Sequence, residues 1–245
     1  MNIKYTINAD VGEAIGDDQS LMPLIQACNI ACGAHAGSPE EMQKTIQLAQ
    51  TYQVRIGAHP SYPDREYFGR RSLKLTPKEL QKSIENQLIA LLRELNSNKL
   101  HHIKPHGALY HDSSRDRKVA KTLIAAAKSL CPSVVFITAP GSLFGKIAEN
   151  KGFEIWEETF LDRAYQDDGL LVPRNQQGAI LQSTAQLNER FYNLVVHQRI
   201  KTISNQWISV KSDTICVHGD HPNASQNLKF VLEKFQESNT SIHDA

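Results

Sequence analysis

The 245-residue chain is 40% apolar and 22% charged, which supplies a large core and excludes a disordered composition. Lys and Arg number 27 against 26 Asp and Glu, for a formal charge of +1, and no basic stripe is present to neutralise a phosphate backbone, which argues against nucleic acid as a partner. No run approaches the ~20 apolar residues that span a bilayer, and the opening MNIKYTINAD lacks an apolar signal core, so a cytoplasmic chain with no membrane partner is expected.

Short β-branched runs alternate with stretches of helical period, the pattern of parallel β/α units. In chain order the expected elements are a strand at 5–9, a helix at 20–26, a strand at 27–31, a helix at 39–52, a strand at 55–58 and a helix at 77–95. There follow a strand at 102–104, a helix at 116–130, a strand at 134–138, a helix at 142–150, a strand at 154–158, a helix at 187–200, a strand at 214–217 and a helix at 222–235. Ser38-Pro39 and Thr76-Pro77, with Glu41 and Glu79 three residues after each cap, mark two helix starts. The expected architecture is α/β, a single seven-stranded parallel β/α barrel over 1–245 with a frayed polar tail at about 236–245. Cys28, Cys32, Cys131 and Cys216 sit in apolar contexts without paired metal spacing and read as buried reduced thiols.

A barrel gathers the carboxyl ends of its strands on one face, and there the apolar runs give way to groups that bind metal, move protons or hold anions. The first run ends in Asn8-Ala-Asp10-Val-Gly-Glu13, the second leads to His35, the third to His59 and on to Arg70-Arg71, and the fourth to Lys104-Pro-His106 and Tyr110. The sixth is followed by Asp162-Arg163 and later Arg174, and the last by His218-Gly-Asp220. An inward ammonium at Lys104 must be paired or functional, and loop arginines suit carboxylate or phosphate. Only one of Glu157 and Glu158 reaches the interior, because strand neighbours point to opposite faces. Gly141-Ser-Leu-Phe-Gly145-Lys146 is one residue short of a phosphate loop and continues with Ile147, and no G-x-G-x-x-G, H-E-x-x-H or G-x-S-x-G pattern is present. Any nucleotide must therefore bind unconventionally.

Taken in order, N-A-D-x-G-E, N-I-A-C-G-x-H-A-G, G-A-H-P-S-Y-P-D, F-G-R-R, K-P-H-G-A-L-Y, R-A-Y-x-x-D-G-x-L-x-P-R and C-V-H-G-D resemble the LamB/YcsF family, that of the A component of 5-oxoprolinase, from Asn8 to about Pro222. The resemblance implies a barrel of the glycoside hydrolase/deacetylase type. It also implies ATP-dependent opening of 5-oxoproline to glutamate, together with partners resembling subunits B and C of 5-oxoprolinase. A lactam is a stabilised amide, so water attack needs a polarised carbonyl or a phosphorylated oxygen. On this basis Asp10, Glu13, His59, Lys104 and His106 are the expected catalytic residues. His35, Arg70, Arg71, Tyr110, Arg163, Arg174, His218 and Asp220 are the expected substrate and phosphate contacts. Asp10, His59 and His106 also form a candidate set for a divalent ion, magnesium or zinc. Two alternatives stay open: a metal-dependent hydrolase or deacetylase acting without ATP, and a carrier that binds the lactam.

Overall fold

The computed structural model describes residues 5–96, 99–219 and 223–243. Seven parallel strands close a barrel: β1 (Ile7–Val11), β2 (Ala27–Ala31), β3 (Arg55–His59), β4 (His102–Ile103), β5 (Val135–Thr138), β6 (Ile155–Phe160) and β9 (Thr214–His218). β9 pairs with both β6 and β1, with Asp10 in register with His218, and β1 pairs with β2, with Asp10 opposite Asn29. β1, β2 and β5 are buried along their whole length, because helices cover the outside and side chains fill the inside.

The helices at 39 and 77 begin where the caps placed them, while the one expected from 187 begins three residues earlier. In α2 (Pro39–Thr51), Ser38 accepts from the Glu41 amide. In α3 (Pro77–Leu95), Thr76 and Glu79 form a reciprocal capping box. α5 (Arg117–Leu130) starts on Asp116, and α6 (Leu143–Glu149) on Ser142. α7 (Thr184–His197) starts on a second capping box, between Ser183 and Gln186. These starts set each helix to run back along the barrel wall, where α3 buries Leu80, Ile84, Leu88, Leu91 and Leu95.

Several expected elements differ. The helix at 20–26 is a single turn, α1 (Asp18–Leu21), followed by a 3-10 turn at Met22–Leu24, because Pro23 offers no N–H to continue it. A short helix, α4 (Gly107–Ser113), follows β4 directly; its glycine start hid it. Between α7 and β9 an antiparallel hairpin joins β7 (Arg199–Lys201) to β8 (Trp207–Ser209), where only the end of a helix was expected. The last helix, α8 (Ala224–His243), continues through the segment read as a polar tail. Among the described residues, no helix is long and apolar enough to cross a membrane.

One close approach ties the fold to the site. Gly57 lies against the His102 ring, and a Cβ at 57 would fall on that ring, whose Nε2 donates to Asn29 Oδ1 at 2.8 Å. Gly57→Ala is therefore expected to cost about 1–3 kcal/mol, the usual cost of overpacking a filled core. Urea unfolding measures it, and a loss within about 0.5 kcal/mol would show that the ring has room to move.

Candidate active site at the carboxyl ends of the strands

Alternation along the strands turns Asn8 and Asp10 of β1 inward, while Ile7, Ala9 and Val11 join the surrounding core. The inward side chains form one hydrogen-bonded layer. Asn29 Nδ2 donates to Asn8 Oδ1 at 2.8 Å and to Asp10 Oδ1 at 2.9 Å, and Asn8 Nδ2 donates to Thr214 Oγ1 at 2.9 Å and Glu158 Oε2 at 3.2 Å. Into this layer projects Lys104, 2% exposed, with Nζ 3.0 Å from Asp10 Oδ1, 3.0 Å from Glu158 Oε2 and 3.0 Å from Cys216 Sγ. Burial works against its ammonium, yet Asp10 beside it holds Lys104 well above the usual lysine range. Burial likewise opposes the Asp10 carboxylate, but His59 and Lys104 hold it well below the usual carboxylate range. Lys104, expected to act on substrate, thus spends its donors on Asp10 and Glu158 at the cavity floor. Glu158 is the inward member of its pair; Glu157 turns out to accept from the Gly141 amide at 2.7 Å.

Above the floor sit three imidazoles whose orientations are fixed from outside. His59 Nδ1 donates to the Lys104 carbonyl at 2.8 Å, and His106 Nε2 donates to the Phe68 carbonyl at 2.9 Å. A carbonyl only accepts, so both of these nitrogens carry hydrogen. The remaining nitrogens, His59 Nε2 and His106 Nδ1, lie 2.9 Å apart, and His59 Nε2 is 3.3 Å from Asp10 Oδ2. Two neutral rings so placed would face lone pair to lone pair, and the arrangement calls for a positive charge between them, a shared proton or a bound cation. Behind them His35 stacks on His106 with centroids 3.8 Å apart, and its Nε2 is 3.1 Å from Glu13 Oε1. Burial, reinforced by His59, pushes His35 down to about 3, and burial with His35 and His59 alongside pushes His106 well below the histidine range. Gly69, at φ +65°, lets the Phe68 loop lie over these rings: a Cβ there would stand 3.0 Å from His106 Cδ2 and 3.1 Å from His35 Cβ.

Asp10, Glu13, His59, Lys104 and His106 open onto a cavity of about 340 Å³, at the lower end of ligand pockets. Arg70, Arg163, Arg174, Tyr110 and His218 line it as well. Arg163 is 5% exposed and gives its guanidinium to two carbonyls, Val172 at 2.7 Å and Ala179 at 3.4 Å. Burial, with Arg174 next to it, lowers Arg163 to about 10. His218 holds its Nδ1 2.9 Å from Asp162 Oδ2.

Two expected contacts stand back from the cavity: His35 supports Glu13 from behind, and Arg71 pairs with Asp64 at 3.4 Å over the Tyr67 ring. Asp220 lies outside the described residues. Sequence reasoning named Asp162 only among the polar groups after the sixth run and assigned no role to Phe160, the last residue of β6, or to the 171–173 segment, which lines the cavity from a loop.

The donor atoms suit a metal at one place. Asp10, His59 and His106 bring ligand atoms within 4.8 Å of one another, as do Glu13, His35 and His106, and outer hydrogen bonds already orient two of the rings as metal-binding histidines require. Asp10, Cys216 and His218 also converge, but there the Lys104 ammonium stands 3.0 Å from Cys216 Sγ and repels a second cation, whereas Asp10 Oδ2 faces His59. ATP fits poorly at the loop that resembled a phosphate site. There the Gly141 amide is bound by Glu157 and the Gly145 amide by Ser142, so the backbone donors that would cradle phosphates are taken.

Residues 5–245 match the model of the LamB/YcsF family. A Pyrococcus horikoshii protein named as the A subunit of 5-oxoprolinase is 37% identical over 98% of this chain and 97% of its own length, and a Syntrophobacter fumaroxidans protein of the same name is 38% identical over 98% of each. The crystal structure of a lactam utilization protein from Thermus thermophilus superposes with a TM-score of 0.88 at 33% identity, covering 95% of this chain and 97% of that one. The barrel, the order of its motifs and these matches along nearly the whole length agree: the chain belongs to the LamB/YcsF family.

Proposed function

We propose that this chain opens the lactam ring of 5-oxoproline to glutamate as one component of an ATP-dependent 5-oxoprolinase, working in the cytoplasm with partners of the B and C type. The observation that carries the reading is one small cavity with a proton-handling cluster, Asp10, His59 and His106, on one side and the buried Arg163 on another. Relatives named for this activity, and a neighbour named for lactam use, support it. Four cysteines, none in a disulfide, accord with a reducing compartment.

The residues divide the work. Arg163, with Arg70 and Arg174 at the same cavity, binds the substrate carboxylate and any phosphate charge. Asp10, kept ionised by Lys104, accepts a proton from the attacking water, and His59 and His106 hold that water in line with the ring carbonyl. Asp10, His59 and His106, with Glu13 adjoining, would hold a divalent ion, whose chemistry there is Lewis-acid polarisation of the carbonyl. With the Gly141 and Gly145 amides occupied, the 141–146 loop offers no phosphate cradle, and the ATP dependence is assigned to the assembly.

The test is to add the purified chain to an extract of cells lacking it and measure glutamate formed from 5-oxoproline. Glutamate that requires both the chain and ATP is the expected result. The converging His59 and His106 nitrogens favour one alternative, a metal-dependent hydrolase or deacetylase. Product formed by the chain alone, without ATP and abolished by a chelator, would establish that reading instead.

A further inference from the structure

His218 and Asp162 form a second proton-handling pair, separate from the His59 and His106 cluster. His218 ends β9, which two intervening strands, β1 and β2, separate from β3 on one side of the barrel and two others, β6 and β5, separate from β4 on the other, so it meets the cavity from the wall facing His59 and His106. Both Asp162 oxygens lie close to its Nδ1, at 2.9 and 3.0 Å, and the His218 backbone N–H also donates to Asp162 Oδ2 at 3.3 Å. The ring stacks on Phe160 with centroids 5.3 Å apart and planes 13° apart. Asp162 is buried and His218 lines the cavity. A carboxylate accepts, so Nδ1 carries hydrogen, and Nε2 is left as the working nitrogen toward the cavity. A cavity meant only to bind an anion has no need of a histidine locked in one tautomer by a buried carboxylate; proton transfer does.

We infer that His218 is the catalytic acid that protonates the departing ring nitrogen, and that Asp162 is its positioning residue. This rests on the lactam-opening reading above. Written for the lactam itself, the water oxygen bonds to the carbonyl carbon and gives one proton to the Asp10 side. The C–N bond then breaks, its electron pair stays on nitrogen, and nitrogen takes the Nε2 proton of His218, which enters the step protonated on both nitrogens with its charge balanced by the Asp162 carboxylate and leaves it as the neutral Nδ1–H form. The new carboxylic acid returns a proton to His218, and the proton held on the Asp10 side goes to the amine, leaving an ammonium and a carboxylate. If the carbonyl oxygen carries a phosphoryl group, the same C–N bond breaks to leave an acyl phosphate, which a second water hydrolyses to carboxylate and inorganic phosphate.

The experiment has two arms. In the first, ¹⁵N spectra of the full chain read the tautomer of neutral His218, with His218→Gln to assign its signals. Hydrogen on Nδ1 is expected, moving to Nε2 in Asp162→Asn; hydrogen on Nε2 in the unaltered chain would overturn the inference whatever the reaction proves to be. In the second, glutamate formation in the reconstituted extract is followed for His218→Ala with and without added imidazole. The expected result is a turnover at least ~100-fold lower with KM nearly unchanged, and recovery of at least tenfold of that loss with imidazole. A raised KM with turnover kept would make His218 a binding residue and overturn the inference, as would a lost turnover that imidazole does not restore in the folded variant. An unaltered chain that makes no glutamate would instead count against the lactam-opening reading, and the tautomer arm would still decide the pair.

Discussion

Lys104→Met is expected to destabilise the protein by about 3–5 kcal/mol, the cost of removing one partner from a buried ion pair. The wild-type ammonium stands 3.0 Å from both Asp10 and Glu158, and methionine would leave two carboxylates facing each other in the barrel with no cation between them. Asn8 and Asn29 cannot replace it, because their amide hydrogens are already given to Glu158, Thr214, Asn8 and Asp10. Urea unfolding of Lys104→Met beside Lys104→Met/Glu158→Gln measures the effect. The double variant is expected to recover part of the loss, since it removes one of the two stranded charges. A single-variant loss below about 1 kcal/mol, the size of an exposed pair, would mean that water reaches this layer and screens it.

Asp10→Asn and His106→Ala are expected to lower turnover at least ~100-fold each while leaving the chain folded. Asparagine keeps the shape of Asp10 and its contact with Asn29 but loses the charge that both Lys104 and His59 face. Alanine at 106 removes the nitrogen that lies 2.9 Å from His59 Nε2, and with it half of the paired lone pairs. Arg71→Ala is the contrasting case. Its guanidinium is directed to Asp64 and Tyr67, away from the cavity, so turnover within a factor of about two is expected despite its place in the F-G-R-R motif.

Much of this was legible in the chain. The strands at 27–31, 55–58 and 214–217 and the helix at 77–95 were readable because period and capping agree there. The polar ends of the strands marked the cavity because a barrel leaves them nowhere else to converge. What stayed hidden depends on phase or distance. Which of Glu157 and Glu158 faces inward turns on one residue of register. Arg70 and Arg71 part because adjacent residues leave the loop in different directions. The bond from Asp162 to His218 spans 56 residues, and no local pattern announces it. Lys104 was read as an ammonium that must be paired or functional, with a role toward substrate expected; the sequence did not show that Asp10 and Glu158 enclose it.

The most direct measurement compares glutamate formation from 5-oxoproline, with ATP, when the unaltered chain, Asp10→Asn and His106→Ala are each added to the same extract. If the cluster at the strand ends performs the ring opening, the unaltered chain restores the reaction and both folded variants fall at least ~100-fold below it. If both folded variants restore it at near the unaltered rate, Asp10 and His106 do not carry the chemistry, and the chain is a carrier that delivers the lactam to a catalytic partner.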